Sequence, residues 1–209
     1  MIAYLNNQKL IDAVKYLSKK DADLAALYES DGVPPLWDRR PGFTTLIKII
    51  LEQQVSLASG KAMYIKLERN IKPFTPIRFK DLGIAYLKSL GVTRQKSSYC
   101  INLAEAVLDE KLDLKSLYSM NDDDIKEMLI RIKGIGPWTA DIYLLMALRR
   151  SDIWPSGDIA LASSIKKIKR LRSSPTNEKQ IKIAEKWIPY RSAAARMLWH
   201  HYLNNKIKN

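Results

Sequence analysis

The sequence is poor in cysteine and histidine, and this excludes several kinds of site. Cys100 is the single cysteine among 209 residues, so the chain has no internal disulfide, no four-cysteine zinc site and no cysteine-ligated iron–sulfur cluster. This cysteine usage is typical of a reducing compartment, and we expect an intracellular protein, in the cytoplasm and nucleoid of a prokaryote or the nucleus of a eukaryote. His200 and His201 are adjacent and have no carboxylate or cysteine at ligand spacing, so no catalytic metal is expected.

Long apolar runs and strand patterns are also missing. No run approaches the roughly 18 consecutive apolar residues of a membrane-spanning helix, and residues 1–10 lack the charged and apolar regions of a signal peptide. The sequence has no convincing alternating strand pattern, internal repeat or low-complexity linker. At 46% apolar residues, a chain of this length has enough apolar surface for a folded core. We therefore expect a soluble, all-α protein with little β structure.

Positive charge is in excess and unevenly distributed. The formal net charge is +13, and residues 159–209 contain 12 Lys+Arg against two Asp+Glu. Such an excess favours a polyanionic partner, most often nucleic acid. Aromatic and cationic side chains alternate in the basic segment, which suits phosphate contact combined with base stacking; they are Trp187, Tyr190, Arg191, Arg196 and Trp199. The alternative is that these charges form a solvent-exposed helical surface that binds no partner.

Apolar residues recur at helical spacing in several segments. The stripe over residues 43–51 predicts a helix whose apolar face extends to Gln54, and Ser56 is expected to cap the following helix. Cys100 belongs to another stripe and is expected to be an inert core residue. Asn121 precedes three aspartates and is expected to be the N-cap of a further helix.

The most informative segment joins two predicted helices by a glycine-rich hairpin. One helix is expected to stop at Gly134, and after Gly136 the proline Pro137 suits the first turn of the next helix, residues 138–148. Both glycines are expected to adopt conformations that a side chain would obstruct. The turn exposes backbone N–H groups at a helix start, which together with Lys133 are expected to bind a phosphate oxygen whatever the base sequence. Taken alone, the motif also fits a simple helix connection.

Four blocks of sequence resemble the signature blocks of the helix-hairpin-helix Gly/Pro-Asp DNA glycosylases. In chain order they are ILEQQVSLASGKAM (50–63), IKGIGPWTADIYLLMAL (132–148), DIWPSGDIAL (152–161) and WIPYRSAAARMLW (187–199). They most resemble the branch of 3-methyladenine DNA glycosylase II, the alkyladenine branch. The resemblance implies a single helix-hairpin-helix glycosylase domain over residues 1–209. It further implies two helical lobes around a DNA-binding cleft, at approximately 1–40 plus 159–209 and at 41–158.

That family cuts the N-glycosidic bond of a damaged base after flipping it from the duplex, and its essential carboxylate follows the hairpin. Asp158 lies 22 residues after Gly136, in the matching position. The resemblance therefore implies that Asp158 stabilises an oxocarbenium-like transition state and orients or deprotonates water. The residues alone would make Asp158 a helix N-cap. Relatives that also nick the strand have a lysine where this chain has Trp138, so the resemblance implies a monofunctional hydrolase without lyase activity.

The resemblance also implies a base-binding pocket and a wedge. Trp138 and Trp199 match the family's pocket tryptophans, whose electron-rich faces bind the cationic ring of an alkylated purine. Tyr143 is one residue beyond the pocket tyrosine of the bacterial representative. Gln54, and less clearly Gln53, matches the wedge that fills the gap left by the flipped base. The alternatives are a core position for Trp199 and a buried polar helix contact for Gln54.

Contacts with DNA phosphates are expected at Lys133, Gly134, Gly136 and Arg191. The resemblance implies in addition that a Na⁺ or K⁺ ion binds the hairpin through the main-chain carbonyls of Ile130, Ile132 and Ile135, because hard oxygen ligands suit such ions. No cofactor is expected to be required.

The expected partner is double-stranded DNA containing alkylated bases of the 3-methyladenine and 7-methylguanine type, bound by a monomer in base excision repair. Two alternatives involve no chemistry. A helix-hairpin-helix protein that only binds damaged DNA would not need Asp158. A general nucleic-acid scaffold driven by the basic C-terminal segment would lose affinity steeply with salt and show no lesion preference.

Overall fold

The computed structural model describes residues 3–207, and this part of the chain is helical. It contains eleven α-helices: α1 (Asn7–Lys20), α2 (Ala22–Asp31), α3 (Phe43–Glu52), α4 (Leu57–Asn70), α5 (Pro76–Ser89), α6 (Arg94–Leu108), α7 (Asp122–Ile130), α8 (Pro137–Ile142), α9 (Ile159–Ile168), α10 (Asn177–Ala184) and α11 (Arg191–Ile207). Short 3₁₀ helices lie at Ser116–Tyr118 and Glu185–Trp187, and a π-helical segment, Tyr143–Ala147, follows α8. Over these residues the sole β feature is a bridge between Tyr4 and Arg150. The predicted all-α class is confirmed.

The chain divides into two compact units. The first unit comprises Met1–Asp38 and Leu144–Asn209, and the second comprises Arg39–Tyr143. The sequence placed the second boundary near residue 159, whereas the structure places it after Tyr143. Hydrogen bonds explain the difference, because the Arg149 carbonyl accepts from the Leu5 N–H at 2.7 Å and the Ser151 carbonyl accepts from the Ser192 N–H at 3.1 Å. Residues 144–158 are thereby tied to the first unit.

The first unit is organised around α11. This helix packs on α1, α2 and α9. Ala193, Ala194 and Ala195 are fully buried on it, and such small side chains permit close approach between helices. None of the helices in residues 3–207 is both long and apolar enough to cross a membrane.

The second unit is organised around α3, which packs on α4, α6 and α8. The predicted start at Phe43 is confirmed, and so is the Ser56 cap of α4, whose hydroxyl accepts from the Ser59 N–H at 3.1 Å. The expectation that the apolar face of α3 extends to Gln54 is wrong. The helix ends at Glu52, and Gln54 adopts a left-handed φ of 54° as the chain turns toward α4.

Two further sequence predictions are confirmed in the second unit. Cys100 is fully buried on α6, and burial raises the pKa of its thiol to about 12. It is therefore a core residue and not a reactive thiolate. Asn121 is the N-cap of α7, and its side-chain oxygen accepts from the Asp124 N–H at 2.9 Å.

Candidate functional site

The hairpin, residues 131–136, joins α7 to α8 in the second unit. Gly134 has a φ of 108°, and a Cβ at this position would lie 2.3 Å from Cγ of Tyr99. Only glycine fits there, for both backbone and steric reasons. Gly136 has an ordinary φ of −92°, and an added Cβ would meet nothing within 4 Å. The expectation that Gly136 also needs the freedom of a glycine is wrong.

Hydrogen bonds from outside the hairpin hold its main chain. The Lys133 carbonyl accepts from Nδ2 of Asn102 at 3.1 Å, and the Gly134 carbonyl accepts from Nε2 of Gln53 at 2.9 Å. The Lys133 side chain is exposed. Gly136 caps α8 without a side-chain bond, and a helix start leaves its first N–H groups without intrahelical acceptors. The hairpin thus combines backbone donors with a cation, as phosphate binding requires.

The carbonyls expected to hold a monovalent cation belong to Ile130, Ile132 and Ile135. The Ile132 oxygen accepts from the Ile135 N–H at 2.9 Å, which uses one of its two lone pairs. Main-chain oxygens of this kind suit Na⁺ or K⁺ chemically. In the described part of the chain no group of three or more His, Cys, Asp or Glu side chains is arranged to hold a metal ion. The monovalent site stays a prediction.

The two aromatic residues expected in the pocket from the second unit differ in exposure. Trp138 is half-buried in the first turn of α8. Tyr143 is fully buried, and its hydroxyl accepts from the Gly42 N–H at 3.0 Å. Burial raises the pKa of the Tyr143 hydroxyl to about 12. Tyr143 therefore occupies a core position, and its contact with a base stays a prediction.

The two glutamines expected to form the wedge have different environments. Gln54 is exposed and lies outside any helix, so the alternative of a buried polar helix contact is wrong for it. Gln53 is half-buried, and its Nε2 donates to the Gly134 carbonyl and to Oγ1 of Thr139, both at 2.9 Å. Gln54 remains the candidate wedge, while Gln53 is engaged within the protein.

In the first unit, Asp158 is the N-cap of α9. Its Oδ1 accepts from the Leu161 N–H at 2.9 Å and from Nε1 of Trp199 at 3.1 Å. Trp199 is only 8% exposed, as expected for a core residue. Its indole nevertheless makes a polar contact with the Asp158 carboxylate. The sequence indicated Asp158 and Trp199 separately but not the hydrogen bond between them, because 41 positions separate them along the chain.

Arg191, expected to contact phosphate, forms a bidentate pair with Asp152. Its Nε lies 2.9 Å from Oδ1 and its Nη2 lies 2.9 Å from Oδ2 of that carboxylate. Nη2 also donates to the Asp152 carbonyl at 3.0 Å. The pair joins the start of α11 to the segment that leads into Asp158.

The proposed alternation of cations and aromatics as a binding face is wrong for Arg196 and Trp187. Both are fully buried. Arg196 donates to the carbonyls of Leu36, Leu145 and Ser192 at 2.8, 2.8 and 3.1 Å, and burial lowers the pKa of its guanidinium to about 10. These side chains hold the first unit together, because their polar atoms find partners inside the protein.

The chain is similar in sequence to proteins named DNA-3-methyladenine glycosylases. YfjP of Bacillus subtilis (strain 168), a protein assigned provisionally to the DNA-3-methyladenine glycosylases, is 29% identical over 187 residues, which is 84% of this chain and 64% of that protein. The DNA-3-methyladenine glycosylase of the same organism is 29% identical over 234 residues, covering 95% of this chain and 77% of that protein. This chain is thus shorter than these relatives.

A solved structure has the same fold. The 3-methyladenine DNA glycosylase Mag1 of fission yeast, in complex with abasic DNA, superposes with a TM-score of 0.79 at 23% identity and covers 90% of this chain and 95% of that one. The family model described as the HhH-GPD superfamily base excision DNA repair protein matches residues 47–190, a range that includes the hairpin and Asp158. The chain therefore belongs to the HhH-GPD superfamily of base excision DNA repair proteins.

Proposed function

We propose that this protein is a monofunctional DNA glycosylase that removes alkylated purines, of the 3-methyladenine and 7-methylguanine type, from double-stranded DNA. Membership of a base excision repair superfamily and relatives named DNA-3-methyladenine glycosylases support the proposal. The observation that carries it is the fixed carboxylate of Asp158. One oxygen of this group is held by two N–H donors, from Leu161 and Trp199.

A carboxylate held in this way suits hydrolysis of an N-glycosidic bond. As the bond between C1′ and the base nitrogen breaks, positive charge develops on the sugar, and a preorganised negative group stabilises that charge without reorienting. Water then forms the new bond to C1′ and loses a proton toward the carboxylate. A base that is cationic through alkylation departs as a neutral molecule, so the protein need not protonate it.

Aromatic faces supply the recognition of such a base. In the first unit, the buried indole of Trp199 lies beside Asp158 through the Nε1 hydrogen bond. In the second unit, Trp138 has a half-buried indole. Electron-rich rings attract a flat cation more strongly than a neutral base. Trp138 has no amine that could form a Schiff base, so the abasic strand is left intact.

Binding to the DNA backbone is assigned in this proposal to the hairpin. Its backbone donors at Gly134 and Gly136 and the exposed Lys133 side chain contact phosphate irrespective of sequence. A Na⁺ or K⁺ ion on the hairpin carbonyls would add positive charge next to the same phosphate, and no other cofactor is required. The protein acts inside the cell as a monomer.

The decisive variant is Asp158→Asn. Asparagine is as good an N-cap as aspartate, so α9 keeps its start while the negative charge is lost. We expect single-turnover release of 3-methyladenine and 7-methylguanine from alkylated duplex DNA to fall by about 10²–10³-fold, while binding to DNA with an abasic analogue is retained. The matched control is Asp113→Asn, where an exposed carboxylate also accepts a backbone N–H, from Lys115 at 2.9 Å.

Three results would contradict parts of this proposal. Near-normal base release by Asp158→Asn would remove the catalytic assignment. Failure of the unmodified protein to release any base at low salt would favour a protein that only binds damaged DNA. A borohydride-stable adduct between protein and DNA would show lyase chemistry and overturn the monofunctional assignment.

A further inference from the structure

We propose that Gln53 is a positioning residue that couples the phosphate-binding hairpin to the turn that presents Gln54. This deepens the proposed function and rests on it for the roles of the hairpin and of Gln54. The coupling lies entirely within the second unit, where both segments are found. Gln53 itself need not touch DNA.

The side chain of Gln53 joins two parts of the helix-hairpin-helix element. An amide NH₂ group has two donors, and Nε2 of Gln53 lies 2.9 Å from the Gly134 carbonyl and 2.9 Å from Oγ1 of Thr139. Gly134 lies in the hairpin, and Thr139 lies in the first turn of α8, where it is 2% exposed. A single side chain therefore fixes the distance between the turn after α3 and both of these positions.

On the hairpin side, this contact sets the orientation of one peptide group. The peptide between Gly134 and Ile135 is held at its oxygen by Gln53 and at its N–H by the Ile132 carbonyl, at 2.9 Å. A peptide group is planar, so fixing both ends fixes its direction. The neighbouring N–H groups that face the phosphate depend on that direction.

On the other side, the turn after α3 is firmly anchored. Nζ of Lys96 donates to the Leu51 carbonyl at 2.7 Å, and Arg39 forms a bidentate pair with Glu52 at 2.8 and 3.2 Å. Gly60 of α4 approaches so closely that an added Cβ would lie 2.8 Å from Cγ of Glu52. The end of α3 is thus fixed immediately before Gln53.

This anchoring gives Gln54 a defined position. Gln54 follows Gln53 directly, adopts a φ of 54° and is exposed. A residue with this conformation in a well-anchored turn projects from a fixed backbone position. Because Gln53 links this turn to the hairpin, the phosphate-binding segment and the wedge move as one rigid element. Without the hydrogen bonds of Gln53 both segments remain, but the position of the hairpin no longer sets the position of Gln54.

The test uses Gln53→Met, which keeps the length of the side chain and removes its donors. The matched control is Gln8→Met on α1, where Nε2 donates at 3.1 Å to Oδ1 of Asp12 on an exposed helix face. The two readouts are the Kd for duplex DNA containing a tetrahydrofuran abasic analogue and the fluorescence of a 2-aminopurine placed next to it. The fluorescence is read at saturating protein and reports unstacking at the site.

We expect Gln53→Met to weaken binding by about tenfold, the effect of losing two hydrogen bonds to fixed acceptors. At saturation we expect a smaller rise in 2-aminopurine fluorescence than with the unmodified protein. Gln8→Met should match the unmodified protein in both. If Gln53→Met lowers only the Tm and leaves both the Kd and the saturating fluorescence unchanged, Gln53 is merely structural and the proposal is overturned.

A second variant, Thr139→Val, removes one of the two acceptors and keeps the shape of the side chain. We expect it to reduce the fluorescence rise in the same direction, and the double variant with Gln53→Met to be less impaired than two independent losses predict. Additive effects would overturn the coupling. Neither readout requires base release, so a catalytically inactive protein that still shows this pattern would contradict the proposed function and leave the role of Gln53 intact.

Discussion

The sequence predicts two polyanion-binding regions, the basic C-terminal segment and the hairpin, but the two regions use their polar groups differently. In residues 159–209, the Arg196 guanidinium donates to three main-chain carbonyls, and the Arg191 guanidinium donates to the Asp152 carboxylate. Lys169 in the same segment pairs with Asp21 and Asp23 at 2.9 and 2.7 Å. In the hairpin, by contrast, the Lys133 side chain is exposed and the main chain itself supplies the donors.

The difference shows that a count of charges is a poor guide to a binding surface. A guanidinium that already has good acceptors inside the protein gains little from a phosphate, since it would first have to break those bonds. A hairpin with few charges and several oriented N–H groups is better suited to the task. The following predictions test whether the two regions are as distinct as their contacts indicate.

The largest effect is expected for Arg196→Met. The variant leaves the buried carbonyls of Leu36, Leu145 and Ser192 without their donor, so the free energy of unfolding should fall by about 3 kcal/mol or more. Urea denaturation measures the loss. The affinity of the remaining folded protein for DNA should be unchanged, and a specific loss of affinity with normal stability would show that Arg196 reaches DNA.

A smaller loss is expected for Gly134→Ala in the hairpin. The left-handed φ and the contact with Tyr99 should together lower the free energy of unfolding by about 2 kcal/mol and weaken DNA binding. Gly136→Ala is the matched control and should cost only about 0.5 kcal/mol, since its φ is ordinary and the space is open. Equal effects of the two substitutions would contradict the assignment of the tight turn to Gly134.

Lys169→Met should reduce stability by about 1 kcal/mol at neutral pH, a modest effect because the pair is partly exposed. Burial raises the pKa of Asp21, but hydrogen bonds from Lys169 and Trp187 outweigh it and leave the pKa lowered. For Lys169, burial lowers the pKa, and Asp23 and Asp21 together raise it further than that. Each group thus keeps its charge over a wider pH range when folded.

The sign of the pH dependence follows from these shifts. Stability from the lowered Asp21 pKa is present above the unfolded value and is lost as pH falls through the folded value. Stability from the raised Lys169 pKa is present below its unfolded value and is lost as pH rises through the folded value. The difference between unmodified protein and Lys169→Met should therefore be full between about pH 5 and 9 and shrink on either side. Denaturation at several pH values tests this, and a constant difference below pH 4 would contradict it.

The smallest effect on stability, and the most direct comparison of the two regions, is expected from Lys133→Met and Arg191→Met. If Lys133 neutralises one phosphate, the slope of log Kd against log salt should fall by about 0.9 in Lys133→Met, with little change in stability. Arg191→Met should leave that slope unchanged and lower stability, because it breaks the Asp152 pair. Fluorescence anisotropy over a salt series measures the slopes and urea denaturation the stability, and an equal fall in slope for Arg191→Met would show that Arg191 contacts phosphate, as the sequence predicts.

The elements with local signals could be predicted from sequence, and those that depend on distant partners could not. The stripe from Phe43 and the cap at Asn121 are encoded within one or two helical turns, and both were confirmed. No glycine or proline marks the end of α3 in the sequence, so the apolar pattern predicted that the helix face extends to Gln54. The burial of Arg196 arises from carbonyls at Leu36 and Leu145, more than 50 positions away along the chain, and no nearby pattern reveals it.

The shared oxygen of Asp158 has a consequence for the dynamics of the first unit. The Leu161 N–H and the Trp199 indole both bind Oδ1, so the first turn of α9 and the carboxylate are ordered by the same atom. Local opening of that turn, well below the temperature of global unfolding, would release Oδ1 from the Leu161 N–H. Hydrogen exchange at the Leu161 amide would then report how much of the time the group is held in place.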